Sequence, residues 1–171
     1  MLKKALLSGL CCGALCCVPA LAQTGSLDKA DQSFLDTAAQ TDMTEAHVGQ
    51  MAQDEGKAQS VKDFGQMLVT DHTNDYNQVV ALGAKVSGTV PKGLDATHDK
   101  MIAPMNKVKG AAFDQKFIHD MISGHEKAIA EYKKAAADAT NPDVKAYAAQ
   151  TLPTLQKHLD TAKDLAKSKT K

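Results

Sequence analysis

The chain of 171 residues contains no tryptophan and no arginine, and only 4% of its residues are aromatic. Arginine is the side chain best suited to grip phosphate in a bidentate manner, so its absence argues against a nucleic-acid partner. The charge balance agrees, because 20 basic residues face 20 acidic ones and leave no surplus to neutralise a phosphate backbone. Few aromatics with abundant alanine suit closely packed helices.

Cysteine is missing from everything after residue 17. The first 22 residues have the features of a secretory signal, with Lys3 and Lys4, an apolar run over 5–18 and a small-residue cleavage pattern ending at Ala22. All four cysteines lie in this segment: Cys11, Cys12, Cys16 and Cys17. Cleavage after Ala22 would leave a chain of net charge about −2 with no thiolate metal site, which suits an oxidising compartment. We therefore expect a periplasmic protein.

Long hydrophobic runs are also lacking. The run over 5–18 is too short to span a bilayer, and no later run is longer, so we expect no transmembrane span after cleavage. An uncleaved anchor is the alternative, whereas the bulky Leu10 and Leu15 before cysteines argue against lipidation. The sequence has no glycine-rich phosphate loop, nucleophile elbow or paired carboxylates, so it indicates no enzyme class.

What the sequence does contain is a repeated helical period of apolar residues. It predicts one domain over 27–167, between a polar leader at 23–26 and a basic tail at 168–171. The predicted helices cover 27–53, 57–86, 112–137 and 142–167, with Ser26 and Asn141 as N-caps and a short extra helix over 94–108 interrupted at Pro104. We therefore expect an all-α, ferritin-like, up-down four-helix bundle with one long crossover, as a monomer or weak dimer.

An ordered set of motifs resembles a known family. The set comprises Phe34-Leu35-x-x-Ala38-Ala39, Glu45-x-x-x-Gly49-x-Met51-Ala52, Met67-Leu68-Val69-x-Asp71-His72, Phe113-Asp114-x-x-Phe117-Ile118, Met121-Ile122-x-x-His125 and Thr151-Leu152-Pro153-x-Leu155-x-x-His158. It is similar to the secreted bacterial "domain of unknown function 4142" family, often labelled predicted outer membrane protein. The resemblance implies a ferritin-like fold and secretion, but no reaction. His47 departs from the family pattern, which more often has a glutamate or another polar residue there.

Each long helix carries one potential metal ligand near its midpoint: Glu45, His72, His125 and His158. Mid-helix positions of an antiparallel bundle meet at one level, and imidazole and carboxylate groups bind iron, zinc or copper. Di-iron bundles use Glu-x-x-His on two helices, but Val69, Ile122 and Leu155 stand three residues before these histidines. The pattern therefore favours a mononuclear Fe, Zn or Cu site over a di-iron centre.

Two alternatives remain open at this stage. The buried histidines and Glu45 can instead satisfy one another and fix helix register, as in a non-catalytic structural or interaction protein. Asp71 is a candidate hydrogen-bond partner of a metal-binding histidine. Met43, His47 and Met51 share one face of the first helix, where they could bind Cu(I) or simply pack in the core. His98, Met101 and Met105 have the same ambiguity. For a metal-binding protein, we expect a role in metal handling or envelope stress.

Overall fold

A computed structural model describes residues 27–168, and within them it contains helices and no β-strand. The signal segment, the leader with Ser26 and the last three residues lie outside the described part. The elements are α1 (Lys29–Glu55), α2 (Gln59–Lys85), α3 (Ala96–Ile102), a 3-10 turn (Met105–Lys107), α4 (Gly110–Asp138) and α5 (Pro142–Ser168). The all-α prediction is confirmed.

Local sequence explains where the helices begin. Asp28, rather than Ser26, caps α1 by accepting a hydrogen bond from the Asp31 N–H at 2.8 Å. Asn141 caps α5 as predicted, with its Oδ1 2.9 Å from the Asp143 nitrogen. The α2 N-terminus has no cap from its own chain segment, so Asp114 of α4 accepts from the Lys57 and Ala58 nitrogens instead. A carboxylate there also complements the positive end of the helix dipole.

The long helices run up, down, down and up. The α1–α2 turn meets the start of α4 through a parallel bridge between Gly56 and Gly110. At the other end, Asp31 of α1 accepts hydrogen bonds from Thr140 and Asn141 in the α4–α5 turn. The connection between α2 and α4 must therefore travel the length of the bundle, which is the single long crossover that the sequence predicted.

The crossover is tied to α1 and interrupted by proline. Gln40 bonds to the Gly93 carbonyl and accepts from the Asp95 nitrogen, which fixes the start of α3. The predicted short helix over 94–108 is divided at Pro104, with α3 before it and the 3-10 turn after it. The division follows because proline cannot donate the hydrogen bond that would continue α3. α5 continues through its own Pro153.

A polar layer divides the apolar core of the bundle into two clusters. One cluster, around Leu35, Val79 and Tyr132, occupies the end where α1 begins. The other, around Phe64 and Phe117, occupies the end where α1 finishes. Between them are buried the polar residues Asp42, Glu45, His72, Asp75, His125, Thr151 and His158. No helix among residues 27–168 is long and apolar enough to cross a membrane.

Candidate metal centre

Three histidines meet at the middle of the bundle. His72 of α2, His125 of α4 and His158 of α5 are at most 2% exposed. One nitrogen from each ring lies within 4.8 Å of the other two. The three side chains are therefore close enough to hold one metal ion. The sequence placed these three side chains at one level, and the structure does bring them into one cluster.

Each histidine has one ring nitrogen held by an outer acceptor. His72 Nδ1 lies 2.9 Å from Asp42 Oδ1, and His158 Nε2 lies 2.9 Å from Asp71 Oδ2. His125 Nδ1 lies 2.9 Å from the Met121 carbonyl oxygen, which can only accept. We assign the ring protons to these outer nitrogens because each faces an oxygen acceptor. Metal-ligating histidines have this arrangement, in which the outer bond fixes the tautomer and the ring orientation.

The remaining three nitrogens then present lone pairs. His125 Nε2 and His158 Nδ1 face each other at 3.2 Å. With both outer nitrogens protonated, neither atom of this pair has a proton to donate. His72 Nε2 is buried and finds no hydrogen-bond partner within residues 27–168. Converging lone pairs of this kind are stabilised by a cation between them.

The burial of the cluster keeps the imidazoles neutral. Desolvation, with the neighbouring histidines adding to it, holds the pKa of His72 well below its usual value. Burial also lowers the pKa of His125 to about 4, with His158 contributing. The pKa of His158 is lowered by burial, although its bond to Asp71 opposes that shift. Neutral imidazole is the form that binds metal ions.

Sequence reasoning missed Asp42, which is 1% exposed and bonds to His72. Burial, then the nearby Asp75 charge, raises the pKa of Asp42 well above its usual value, and burial also raises that of Asp75. Asp42 Oδ2 is buried without a hydrogen-bond partner among the described residues, and the Asp75 carboxyl lies close enough to act on the pKa of Asp42. Asp75 in turn accepts from Tyr147 at 2.8 Å. The signal that could have revealed Asp42 is its position three residues before Glu45 on the buried stripe.

Glu45 does not join the three histidines. Its carboxylate lies on the α1–α4 side, where a Cβ added to Gly124 would come within 3.3 Å of Oε1. Glu45 Oε2 is buried without a hydrogen-bond partner in the described chain. Burial, with a contribution from Asp120, raises the pKa of Glu45 to about 8. Glu45 thus belongs to the polar layer but faces a different pocket, which residues of α1, α3 and α4 line.

The methionines of the two other candidate sets are divided between core and surface. On α1, Met51 is buried in the apolar cluster around Phe64 and Phe117, Met43 is half-buried and His47 is exposed. On the crossover, Met105 is 1% exposed whereas Met101 is 60% exposed. Met43, His47 and Met51 are therefore not exposed together on one face of α1. Met51 and Met105 pack in the apolar core.

A cavity of about 170 Å³ between α2 and α5 reaches the histidine cluster. Its lining includes His72, His158 and Asp71, together with polar side chains such as Asn74 and Gln150. It gives solutes a polar route to two of the three rings.

A match to a family model over most of the chain shows which family the protein belongs to. A family model described as "Domain of unknown function (DUF4142)" matches residues 17–165. The chain belongs to this family. No curated protein matches the chain. Among solved structures, "CopM in the Cu(II)-bound form" is similar, with a TM-score of 0.67 and 16% identity over 81% of this chain and 96% of that one. At that identity, the likeness supports the helical-bundle fold alone.

Proposed function

We propose that this DUF4142 protein binds one copper ion through His72, His125 and His158 and serves metal handling in the cell envelope. The observation that carries the proposal is the set of three inward nitrogens, each on a ring whose other nitrogen has an outer acceptor. The N-terminal segment with Lys3, Lys4 and its apolar run supports the envelope location.

The spacing of the inward nitrogens fits a shared ion. Two nitrogens bound tetrahedrally to one ion at about 2.0–2.1 Å stand about 3.3 Å apart. His125 Nε2 and His158 Nδ1 are 3.2 Å apart without any adjustment. His72 Nε2 completes the set after a small movement, since all three ligand atoms lie within 4.8 Å.

Ligand chemistry favours copper among the three metals considered. Imidazole suits zinc, copper and iron alike, but affinity for a given nitrogen site is highest for Cu(II) among the divalent ions. Iron centres in helical bundles rely on bridging carboxylates, and Glu45 is not part of this group. The similar fold of CopM, solved with Cu(II), makes copper the first ion to test and zinc the second.

The alternative is a cluster that only fixes helix register. A specific observation favours it, because His72, Asp42, Asp75 and Tyr147 form a buried chain of polar side chains linking three helices. Such networks can specify a unique arrangement of a bundle. This alternative leaves the two facing lone pairs and His72 Nε2 without an explanation.

Metal titration distinguishes the two functions. Metal-free protein should take up one Cu(II) per chain, with nitrogen hyperfine structure in its electron paramagnetic resonance spectrum. The His125→Gln variant should lose this spectrum, while the exposed His119→Gln control should keep it. Binding of no ion, or equal spectra in both variants, would leave the register function as the better explanation. Zinc and iron are tested by competition in the same assay.

The outer carboxylate Asp71 provides a graded test. Its side chain is 30% exposed, so the Asp71→Asn variant should fold normally. The amide is a weaker acceptor than the carboxylate and can turn its NH₂ toward the ring, so His158 loses its fixed tautomer. Copper affinity should fall by about 10- to 100-fold, as measured by chelator competition. An unchanged affinity would mean that His158 does not bind the ion.

A further inference from the structure

A second pocket contains donors of a different chemical class. This cavity of about 160 Å³ lies where α3 covers α1 and α4. Its lining includes Glu45 of α1, together with His98 and Met101 of α3. We infer that this pocket is a separate Cu(I) site, with a carboxylate, an imidazole and a thioether as its ligands.

Glu45 provides the inner wall of the site. The residue is 7% exposed, and its Oε2 has no hydrogen-bond partner within the described chain. A buried polar atom in that condition is costly, since the desolvation of the group is not offset. Gly124 leaves room for the carboxylate, because an added Cβ there would stand 3.3 Å from Glu45 Oε1. A cation in the pocket would replace the proton that burial otherwise keeps on Glu45 and would supply the missing partner.

His98 is already oriented for a ligand. Its Nδ1 lies 2.8 Å from Asp95 Oδ1, so the proton belongs on Nδ1 and the Nε2 lone pair is free. This is the outer-carboxylate arrangement that also holds His158. Asp95 caps α3 and is anchored through its nitrogen to Gln40 of α1, which fixes the position of the ring.

Met101 gives the site its metal preference. It lies three residues after His98, so both side chains lie on one face of α3. Met101 lines the pocket and is 60% exposed, so its thioether is accessible to an ion that enters from solvent. Thioether sulfur selects soft ions such as Cu(I) over zinc or magnesium. On the α4 side, Lys127 and Glu131 line the pocket with opposite charges, so neither sign prevails there.

The exposed position gives this site a different role from that of the buried histidines. An ion held partly by Met101 can exchange directly with solvent carriers, whereas the histidines are at most 2% exposed and are reached through the cavity between α2 and α5. The second site is independent of the proposed histidine centre, since the two share no ligand. Sulfur also distinguishes them, because the histidine cluster has no sulfur ligand.

The test uses X-ray absorption of the chain from Gln23 onward, which contains no cysteine, loaded anaerobically with two equivalents of Cu(I). A copper–sulfur component is expected for the wild type, with loss of that component in Met101→Leu and retention in Met43→Leu. The exposed Met101→Leu substitution keeps the side-chain volume and should leave the circular dichroism spectrum unchanged. A competition titration should show that His98→Ala and Glu45→Gln weaken Cu(I) binding at this site by at least about tenfold.

Absence of copper–sulfur scattering in the wild type would overturn the inference, as would its persistence in Met101→Leu. A sulfur signal in protein whose histidine cluster binds no copper would support the second site while contradicting the first. Loss of the histidine centre alone, through His125→Gln, should leave the sulfur component in place.

Discussion

At the scale of single residues, the direction of each ring nitrogen decides the chemistry. His158 and His72 each have a carboxylate on one side of the ring and a lone pair on the other, an arrangement that would orient both rings for the proposed ion. Sequence spacing identified the three histidines, because each falls on the buried stripe of its helix. Sequence spacing did not single out Asp42, because the bond that gives this residue its role comes from His72 on another helix.

Glu45 makes a prediction about pH at this same scale. Because burial raises its pKa to about 8, the folded protein keeps a proton there that the unfolded chain releases above about pH 4.5. The stabilisation from this proton is fully present below pH 4.5 and is lost as the pH rises through 8. The Glu45→Gln variant cannot titrate at this position, so its stability should improve relative to the wild type over that range. The difference should change by at most about 1.4 kcal/mol per pH unit.

Urea unfolding of the metal-free protein at pH 5, 6.5 and 8 measures this difference. The exposed Glu126→Gln is the matched control. A constant difference between Glu45→Gln and wild type across the three values would show that Glu45 is not held protonated in the fold.

At the scale of helices, a close contact between α1 and α2 in the first hairpin depends on two glycines. A Cβ on Gly65 of α2 would lie 2.5 Å from the Gly49 carbonyl oxygen of α1 and 2.8 Å from Ala52 Cβ. The helices can approach this closely because neither glycine has a side chain. The family motifs contain Gly49 but not Gly65, and the pairing of the two glycines across α1 and α2 depends on the register of the hairpin.

Gly65→Ala should therefore lower the free energy of unfolding by about 2 kcal/mol. The gain of about 1 kcal/mol in helix propensity is too small to offset a clash with a backbone atom. Gly93→Ala is the control, since nothing lies within 4 Å of its added Cβ and its effect should stay within about 0.5 kcal/mol. Equal stability of the two variants would contradict the close α1–α2 contact.

At the scale of the whole molecule, the histidine cluster joins two helical hairpins. His72 belongs to the α1–α2 hairpin, whereas His125 and His158 belong to the α4–α5 hairpin. An ion bound by all three would therefore bind the assembled bundle and not the separate hairpins or the unfolded chain. The prediction of a monomer or weak dimer remains a prediction.

Bound copper should accordingly raise the melting temperature. At a free concentration 100 times the dissociation constant, the stabilisation is about 2.7 kcal/mol, or roughly 8 °C for a domain of this size. Differential scanning calorimetry with and without Cu(II) measures it, with Mg²⁺ as the ion that should have no effect. A shift of the same size in His125→Gln would place the stabilising ion elsewhere.

The sequence by itself determined the fold class, the four long helices and the level at which His72, His125 and His158 lie, because helical periodicity is a local property. It also located the break at Pro104, since the missing N–H acts on its own helix. Tertiary structure decided the partners, because hydrogen bonds across helices depend on rotation and register that no single helix fixes. This is why Asp42 and Asp71 hold the histidines, while Glu45 turns away toward His98 and Met101.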